Sequence, residues 1–202
     1  ERLCEQGVFL EVILAPSFAP SALERLRDRW ANVRLLSIGA IERMREGAMQ
    51  MRTIPGGMLV QERDTALADV GSWTLAAGPK MDDAKMRAAG AVWLMCKHLA
   101  SNAIVIGGAD GSGVRMFGAG AGQMDRVGAC RVAAGKAGER SRGAIAASDA
   151  FFPFPDGPEV LIESGVSVIV QPGGSKRDSE TFDLCDKCGV TCLITGTRHF
   201  RH

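Results

Sequence analysis

Short, nearly continuous apolar runs alternate along this chain with helix-length amphipathic stretches, and that alternation limits the fold more than any other feature. Residues 8–15 (Val-Phe-Leu-Glu-Val-Ile-Leu-Ala) and 33–38 (Val-Arg-Leu-Leu-Ser-Ile) are strand-length. So are 102–106, 143–147, 166–170 and 191–194. A run of four to eight β-branched and aliphatic residues suits a strand covered on both faces. Between the first two runs, Pro20 opens a predicted helix to about Trp30, with Leu23, Leu26 and Trp30 at helical spacing. This β-α-β start predicts parallel pairing. A second helix, capped by Asp82 or Asp83, is predicted to run to about Leu99, with Met86, Ala89, Trp93, Cys96 and Ala100 as its buried stripe, widened by Val92 and Leu99.

The remaining elements follow in order. Residues 41–53 read as a short helix or an irregular excursion, 58–61 as a short strand and 65–80 as loop, with a compositional seam near Gly78-Pro79. The seam divides the expected organisation into residues 1–80, the end of a preceding subdomain with its connecting segment, and a C-terminal subdomain over 81–202. Residues 114–117 should return against 102–106 as an antiparallel hairpin around the 109–113 turn. Helices are expected over about 123–137, with Val127, Cys130, Ala133 and Ala134 inside, then over 158–163 and 178–188. The class is α/β.

Bulk properties exclude several functions. The 202 residues carry a net charge of +1 with 23% charged residues, so no field draws in nucleic acid or an anionic membrane. No apolar run reaches the length of a transmembrane span. The opening Glu1-Arg2-Leu3-Cys4-Glu5 lacks a signal-peptide pattern and an initiator Met, which suggests a processed protein or a fragment, in the cytoplasm. Four of the six cysteines fall inside predicted helices or strands, as expected of reduced thiols.

Three segments that follow strands are candidates for a ligand crevice. Ser148 to Gly157 packs three of the eight phenylalanines, two prolines and two carboxylates into ten residues. It reads either as a pocket wall or as a hydrophobic staple tying a loop to the core. Gly118-Ala-Gly-Ala-Gly-Gln-Met-Asp-Arg126 reads as a plain tight turn or as a close approach to an anion at a helix start, but lacks the dinucleotide and P-loop patterns. Gln171-Pro-Gly-Gly-Ser175 is a sharp turn. If these meet at the carboxyl ends of parallel strands, Arg126, Asp149, Asp156 and Arg198 are the charged members, and the arginines are either anion forks or exposed ion-pair partners.

His98 sits at a helix C-terminus, where a capping role fits, and His199 and His202 have no carboxylate or thiol at motif spacing. Cys185, Cys188 and Cys192 offer part of a zinc set but no fourth ligand, so the chain is expected to be zinc-free.

Several ordered blocks together resemble the bifunctional purine biosynthesis family. That family joins 5-aminoimidazole-4-carboxamide ribonucleotide (AICAR) formyltransferase to inosine monophosphate cyclohydrolase. The blocks are Cys96-Lys-His-Leu-Ala-Ser-Asn-Ala-Ile-Val105, Gly118 to Arg126, Ser148-Asp-Ala-Phe-Phe-Pro-Phe154, Pro172-Gly-Gly-Ser175 and Thr197-Arg-His-Phe-Arg-His202. Weaker similarity at 11–17 and 57–61 extends the likeness over nearly the whole chain.

The resemblance implies a three-layer α/β/α, cytidine-deaminase-like fold with a mixed sheet and no zinc. It implies formyl transfer from 10-formyltetrahydrofolate to the 5-amino group of AICAR, at an active site on a homodimer interface. Residue by residue, Asn102 matches an orienting asparagine at the reacting region, Arg126 and Asp156 match folate-side contacts, and Phe151, Arg198 and Phe200 match substrate-binding positions. Asp149 lies where the family can hold a potassium ion.

Two departures carry weight. The family's catalytic Lys-His pair belongs to an upstream segment, and Lys97-His98 aligns to a different block. In the tail, Gly196, His199 and Arg201 stand where the family often has Asn, Leu and His. The alternative to half of a formyltransferase is a non-catalytic nucleotide-binding domain acting with another subunit.

Overall fold

A computed structural model describes residues 4, 9–41, 47–199 and 201. It divides into two compact units, Glu1–Thr65 and Ala66–His202. The second begins ahead of the compositional seam at Gly78-Pro79, because β5 (Thr74–Ala77) belongs to its sheet. The predicted loop over 65–80 is corrected there. A 3-10 turn at Val70–Ser72 and this edge strand occupy it.

In the first unit, β1 (Val12–Ala15) pairs in parallel with β2 (Arg34–Ser37), and α1 (Pro20–Arg29) connects them. Pro20 stands in the first turn, where its missing N–H costs nothing. The strand and its parallel pairing are as expected, but the covering on both faces is not: Leu14 is 59% exposed. A hairpin follows, β3 (Met49–Ile54) against β4 (Gly57–Glu62). Pro55 and Gly56 form its two-residue turn, with Gly56 at φ +78°. The helix or irregular excursion expected over 41–53 is therefore a strand from Met49 onward, and residues 42–46 lie outside the described residues.

The second unit is a six-stranded mixed sheet in the order β5-β10-β9-β8-β6-β7. Strands β8 (Ile145–Ser148), β9 (Val168–Gln171) and β10 (Thr191–Ile194) run parallel. Both β5 and β6 (Ile104–Asp110) pair antiparallel with this trio, and β7 (Gly113–Gly120) folds back on β6 through a two-residue turn.

Helices cover both faces. On one, α2 (Asp83–Lys97) packs Ala89, Val92, Trp93 and Cys96 on Val105, Ala147, Val168, Val170 and Leu193. On the other, α3 (Arg126–Ala137), α4 (Asp156–Glu163) and α5 (Asp178–Cys188) set Ala129, Cys130, Ala133, Leu161 and Cys185 against Ile104, Ile106, Ala146, Ile169 and Cys192. Alternate residues of each central strand thus serve opposite layers. Each fully buried aliphatic side chain contributes roughly 1.5–3 kcal/mol of transfer free energy.

The glycine-rich stretch has a packing explanation. Gly118 and Gly120 lie in β7, and a Cβ on them would stand 2.1 Å from the carbonyl oxygens of Ala133 and Ala129 respectively. Glycine here lets α3 lie directly on the strand. Helix α3 starts at Arg126, with the Asp125 carboxylate accepting from Gly128 N at 2.6 Å, so a protein carboxylate already occupies the helix start.

In α2 the stripe is largely as read, but the helix ends at Lys97 and Ala100 is exposed. Lys97 is 8% exposed, its ammonium donating to Ala66 O at 2.6 Å. All six cysteines are free thiols. No helix among the described residues is long and apolar enough to cross a membrane.

Candidate functional site

Register places one end of five strands in a single row. Ile104 pairs with both Ser148 and Gly120, Ala147 pairs with Val170, and Gln171 pairs with Ile194. The segments at 101–103, 121–125, 149–155, 172–177 and 195–199 therefore emerge along the same edge, at the carboxyl ends of β8, β9 and β10. That is where open α/β sheets bind ligands.

Asp149 is the centre of this edge and is 1% exposed. Its Oδ1 accepts from Arg126 Nη1 at 2.5 Å and from Ala103 N at 3.1 Å. Its Oδ2 accepts from the Ser101 hydroxyl. The backbone of Asp149 donates to Ala103 O at 3.2 Å and accepts from His199 N at 2.9 Å. One residue thereby fastens the loop before β6, the first residue of α3 and the tail. A buried carboxylate is tolerated because a guanidinium and two further donors surround it.

Arg126 has a side chain 9% exposed. Besides Asp149 it donates to Ser148 Oγ at 3.0 Å and to Asn102 Oδ1 at 2.7 Å. Asn102 Nδ2 in turn donates to Gln123 O at 2.9 Å. The carboxamide is held flat by a donor on its oxygen and an acceptor on its nitrogen, which leaves one N–H with no described partner. Three of the sequence-predicted site residues, Asn102, Arg126 and Asp149, thus form one network.

The aromatic loop divides its labour. Phe152 is 1% exposed and its N–H donates to Gln171 Oε1 at 3.1 Å, which is the staple. Phe151 is half-buried beside it. Phe154 faces outward, 49% exposed, with the Arg177 guanidinium 4.9 Å above its ring. Asp156 is not drawn into the network. It opens α4 on the surface and its carboxylate accepts from Gly157 N at 2.8 Å.

The tail is pinned on both sides of Arg198. Thr195 N donates to Gln171 O at 2.9 Å and Gly196 N to Pro172 O at 3.2 Å. Beyond His199, Ser101 N donates to Arg201 O at 2.8 Å, and Arg201 Nη1 donates to His98 O at 2.5 Å. His199 is 1% exposed, its ring 4.1 Å from that of Trp93. Arg198 itself is exposed, carried between these anchors. Phe200 and His202 lie outside the described residues.

Sequence reading missed Ser101, Gln123, Ser148 and Gln171 as members. Ser101 and Ser148 stand inside the matched blocks, and Gln171 is the polar end of an apolar strand, a signal available in the sequence.

The buried thiols differ in protonation. Burial pushes the Cys130 thiol up to about 12 and raises Cys96 further. A hydrogen bond with Cys185, together with burial, raises Cys192 as well. The same hydrogen bond with Cys192 lowers Cys185. Among the described residues no group of three or more His, Cys, Asp or Glu side chains is placed to hold a metal ion.

A family model described as the AICARFT/IMPCHase bienzyme matches residues 2–136, which take in Asn102 and Arg126. The chain belongs to that family. It is 46% identical over 198 residues to the bifunctional purine biosynthesis protein PurH of Mycobacterium marinum, a match covering 96% of this chain and 36% of that protein. To PurH of Cutibacterium acnes it is 44% identical over 198 residues, with 96% and 37% covered. To PurH of Sorangium cellulosum it is 43% identical over 195 residues, with 96% and 36% covered. The chain therefore spans just over a third of the length of these curated AICARFT/IMPCHase relatives.

Proposed function

We propose that this chain supplies the substrate-holding part of a folate-dependent formyltransferase in purine synthesis, acting on AICAR and 10-formyltetrahydrofolate. The observation that carries the reading is the convergence, on one sheet edge, of the Asn102–Arg126–Asp149 network with the Phe151 loop and the tail around Arg198. Family membership supplies the reaction class.

In this reading the aromatic amine of AICAR bonds the formyl carbon, that carbon's bond to the folate nitrogen breaks, and the amine proton passes to the folate nitrogen. An oxyanion develops on the formyl oxygen. The remaining amide N–H of Asn102 is the donor suited to orienting the reacting groups, and Arg126 fixes its direction from behind. Arg126 then acts on the folate side through Asn102, and Asp156, on the exposed start of α4, is the folate contact nearer solvent. Phe151 packs on the AICAR base, Arg198 binds its phosphate or ribose, and Phe200 forms a neighbouring wall. Potassium at Asp149 would use the lone pair that Ser101 leaves on Oδ2. The fold is zinc-free and cytidine-deaminase-like, the subdomain expected over 81–202 taking in β5 as well, and the working enzyme is a cytoplasmic homodimer.

Proton transfer is assigned to the family's Lys-His pair and not to Lys97-His98, since the Lys97 ammonium is engaged by Ala66 O. Calorimetric titration of the 202-residue chain with AICAR should show binding that Arg198→Ala weakens roughly tenfold, the size expected for one charge-assisted contact. A spectrophotometric assay with 10-formyltetrahydrofolate should show no turnover by this chain alone. Unchanged affinity in Arg198→Ala, or turnover without added polypeptide, would overturn the reading. AICAR binding that no added AICARFT/IMPCHase polypeptide converts to turnover would favour the non-catalytic nucleotide-binding domain.

A further inference from the structure

At the other end of the sheet from Asp149, a cleft of about 530 Å³ opens between the start of α2, the end of β6 and the start of β8. Its size falls within the range of small-molecule sites. Three cations line it, Lys85, Arg140 and Arg142, against the single carboxylate of Asp82. That carboxylate is already occupied as the α2 cap, accepting from Lys85 N at 2.7 Å.

The cations are held in place by different elements. Lys85 Nζ donates to Ser167 Oγ at 3.0 Å, which steadies a half-buried ammonium with two donors to spare. The Arg140 guanidinium lies 5.3 Å from the centroid of the Phe117 ring and donates to Phe117 O at 3.4 Å. Arg142 pairs with Glu139 at 2.8 Å, both largely exposed. The cleft is otherwise apolar, lined by Phe117, Ala88 and Ile145.

A third observation comes from the sheet. Pairing of β6 with β8 stops at Gly107↔Ile145, while β6 continues to Asp110 against β7 alone. Gly108 and Ala109 therefore bring backbone without a β8 neighbour to the cleft wall.

We propose that this cleft binds a small organic anion, a ring carrying a phosphate or carboxylate. The ring lies on the apolar floor beside Phe117, and the anionic group is held by Lys85 and Arg140, with Arg142 at the rim. An inorganic anion leaves the floor unused, and a neutral ring offers Lys85 and Arg140 no anion, so neither part alone suffices. The proposal stands independently of formyl transfer, since it uses none of the residues at the Asp149 edge.

The test is titration of the 202-residue chain with phenyl phosphate, benzoate, inorganic phosphate and phenol, followed by amide NMR shifts and calorimetry. Phenyl phosphate or benzoate should shift amides at 82–88 and 108–117 and bind at least roughly tenfold more tightly than inorganic phosphate or phenol. Whichever of the two binds more tightly identifies the headgroup. Arg140→Gln and Lys85→Gln should each weaken that binding about tenfold. Arg115→Gln, which alters an exposed cation paired with Asp110 outside the cleft, should leave it unchanged. Equal binding of inorganic phosphate, shifts confined to other regions, or equal losses in Arg115→Gln and Arg140→Gln would overturn the proposal.

Discussion

The two compact units use similar local sequence patterns and reach opposite outcomes. In Ala66–His202 β8 and β9 present no exposed position, β10 is buried up to half-buried Ile194, and β6 is buried from Ile104 to Gly108. In Glu1–Thr65, Trp30 is the one buried apolar side chain among the described residues, while Val12, Leu14, Leu36, Met51, Leu59 and Val60 are all exposed. Both units have a parallel strand pair joined through a helix, and both have a hairpin. The difference lies in how many layers each element meets. An inner strand of the six-stranded sheet has neighbours on both edges, in a sheet with helices on both faces, whereas β1–β2 and β3–β4 are two-stranded sheets, a size with marginal stability by itself. Local pattern builds an element, but burial requires enough other elements to cover it.

Three substitutions break or sharpen this contrast, in order of expected effect. Asp149→Ala removes one partner of a buried ion pair and strands the Arg126 guanidinium. A loss of about 3–5 kcal/mol is expected in urea unfolding followed at the tryptophans. A loss under about 1 kcal/mol would mean that the network contributes no more than an exposed pair. Gly120→Ala puts a methyl 2.1 Å from Ala129 O and must push α3 off β7. It should cost about 1–3 kcal/mol, read as a lowered Tm with the far-ultraviolet spectrum retained. Met51→Lys, at a position 65% exposed in the hairpin of the other unit, should change stability by no more than about 0.5 kcal/mol. A larger loss would show that this side chain is covered in solution.

What the sequence revealed follows the same division. The units β9-α5-β10 and the body of α2 were legible because apolar runs and a helical stripe coincide with real burial. Their ends were less so: α2 stops at Lys97, since the buried ammonium of Lys97 and the backbone turn at His98 are tertiary matters. β3 was unreadable because its side chains are mostly exposed, so no period-two burial marks Met-Gln-Met-Arg-Thr-Ile. β5 was missed because Thr-Leu-Ala-Ala is short and carries no strong strand preference, and its pairing with β10 comes from far along the chain.

At the candidate site, the residue types and their grouping at strand ends were legible, and the direction of each side chain was not. The stretch from Gly118 read as a plain tight turn or as a close approach to an anion, whereas Gly118 and Gly120 lie in β7 with a helix packed directly on them. Arg126 read as an anion fork or as an exposed ion-pair partner. It is turned inward, because Asp149 offers the buried guanidinium a partner that a single sequence does not reveal.

Asp149 joins segments that lie far apart along the polypeptide, from Ser101 through Arg126 to His199. No short peptide cut from this protein can carry the site, and closure of the site has to await the slow, long-distance pairings of the sheet. Occupancy by a ligand and the folding equilibrium of Ala66–His202 are therefore thermodynamically linked, so a melting curve recorded with and without ligand doubles as a binding measurement.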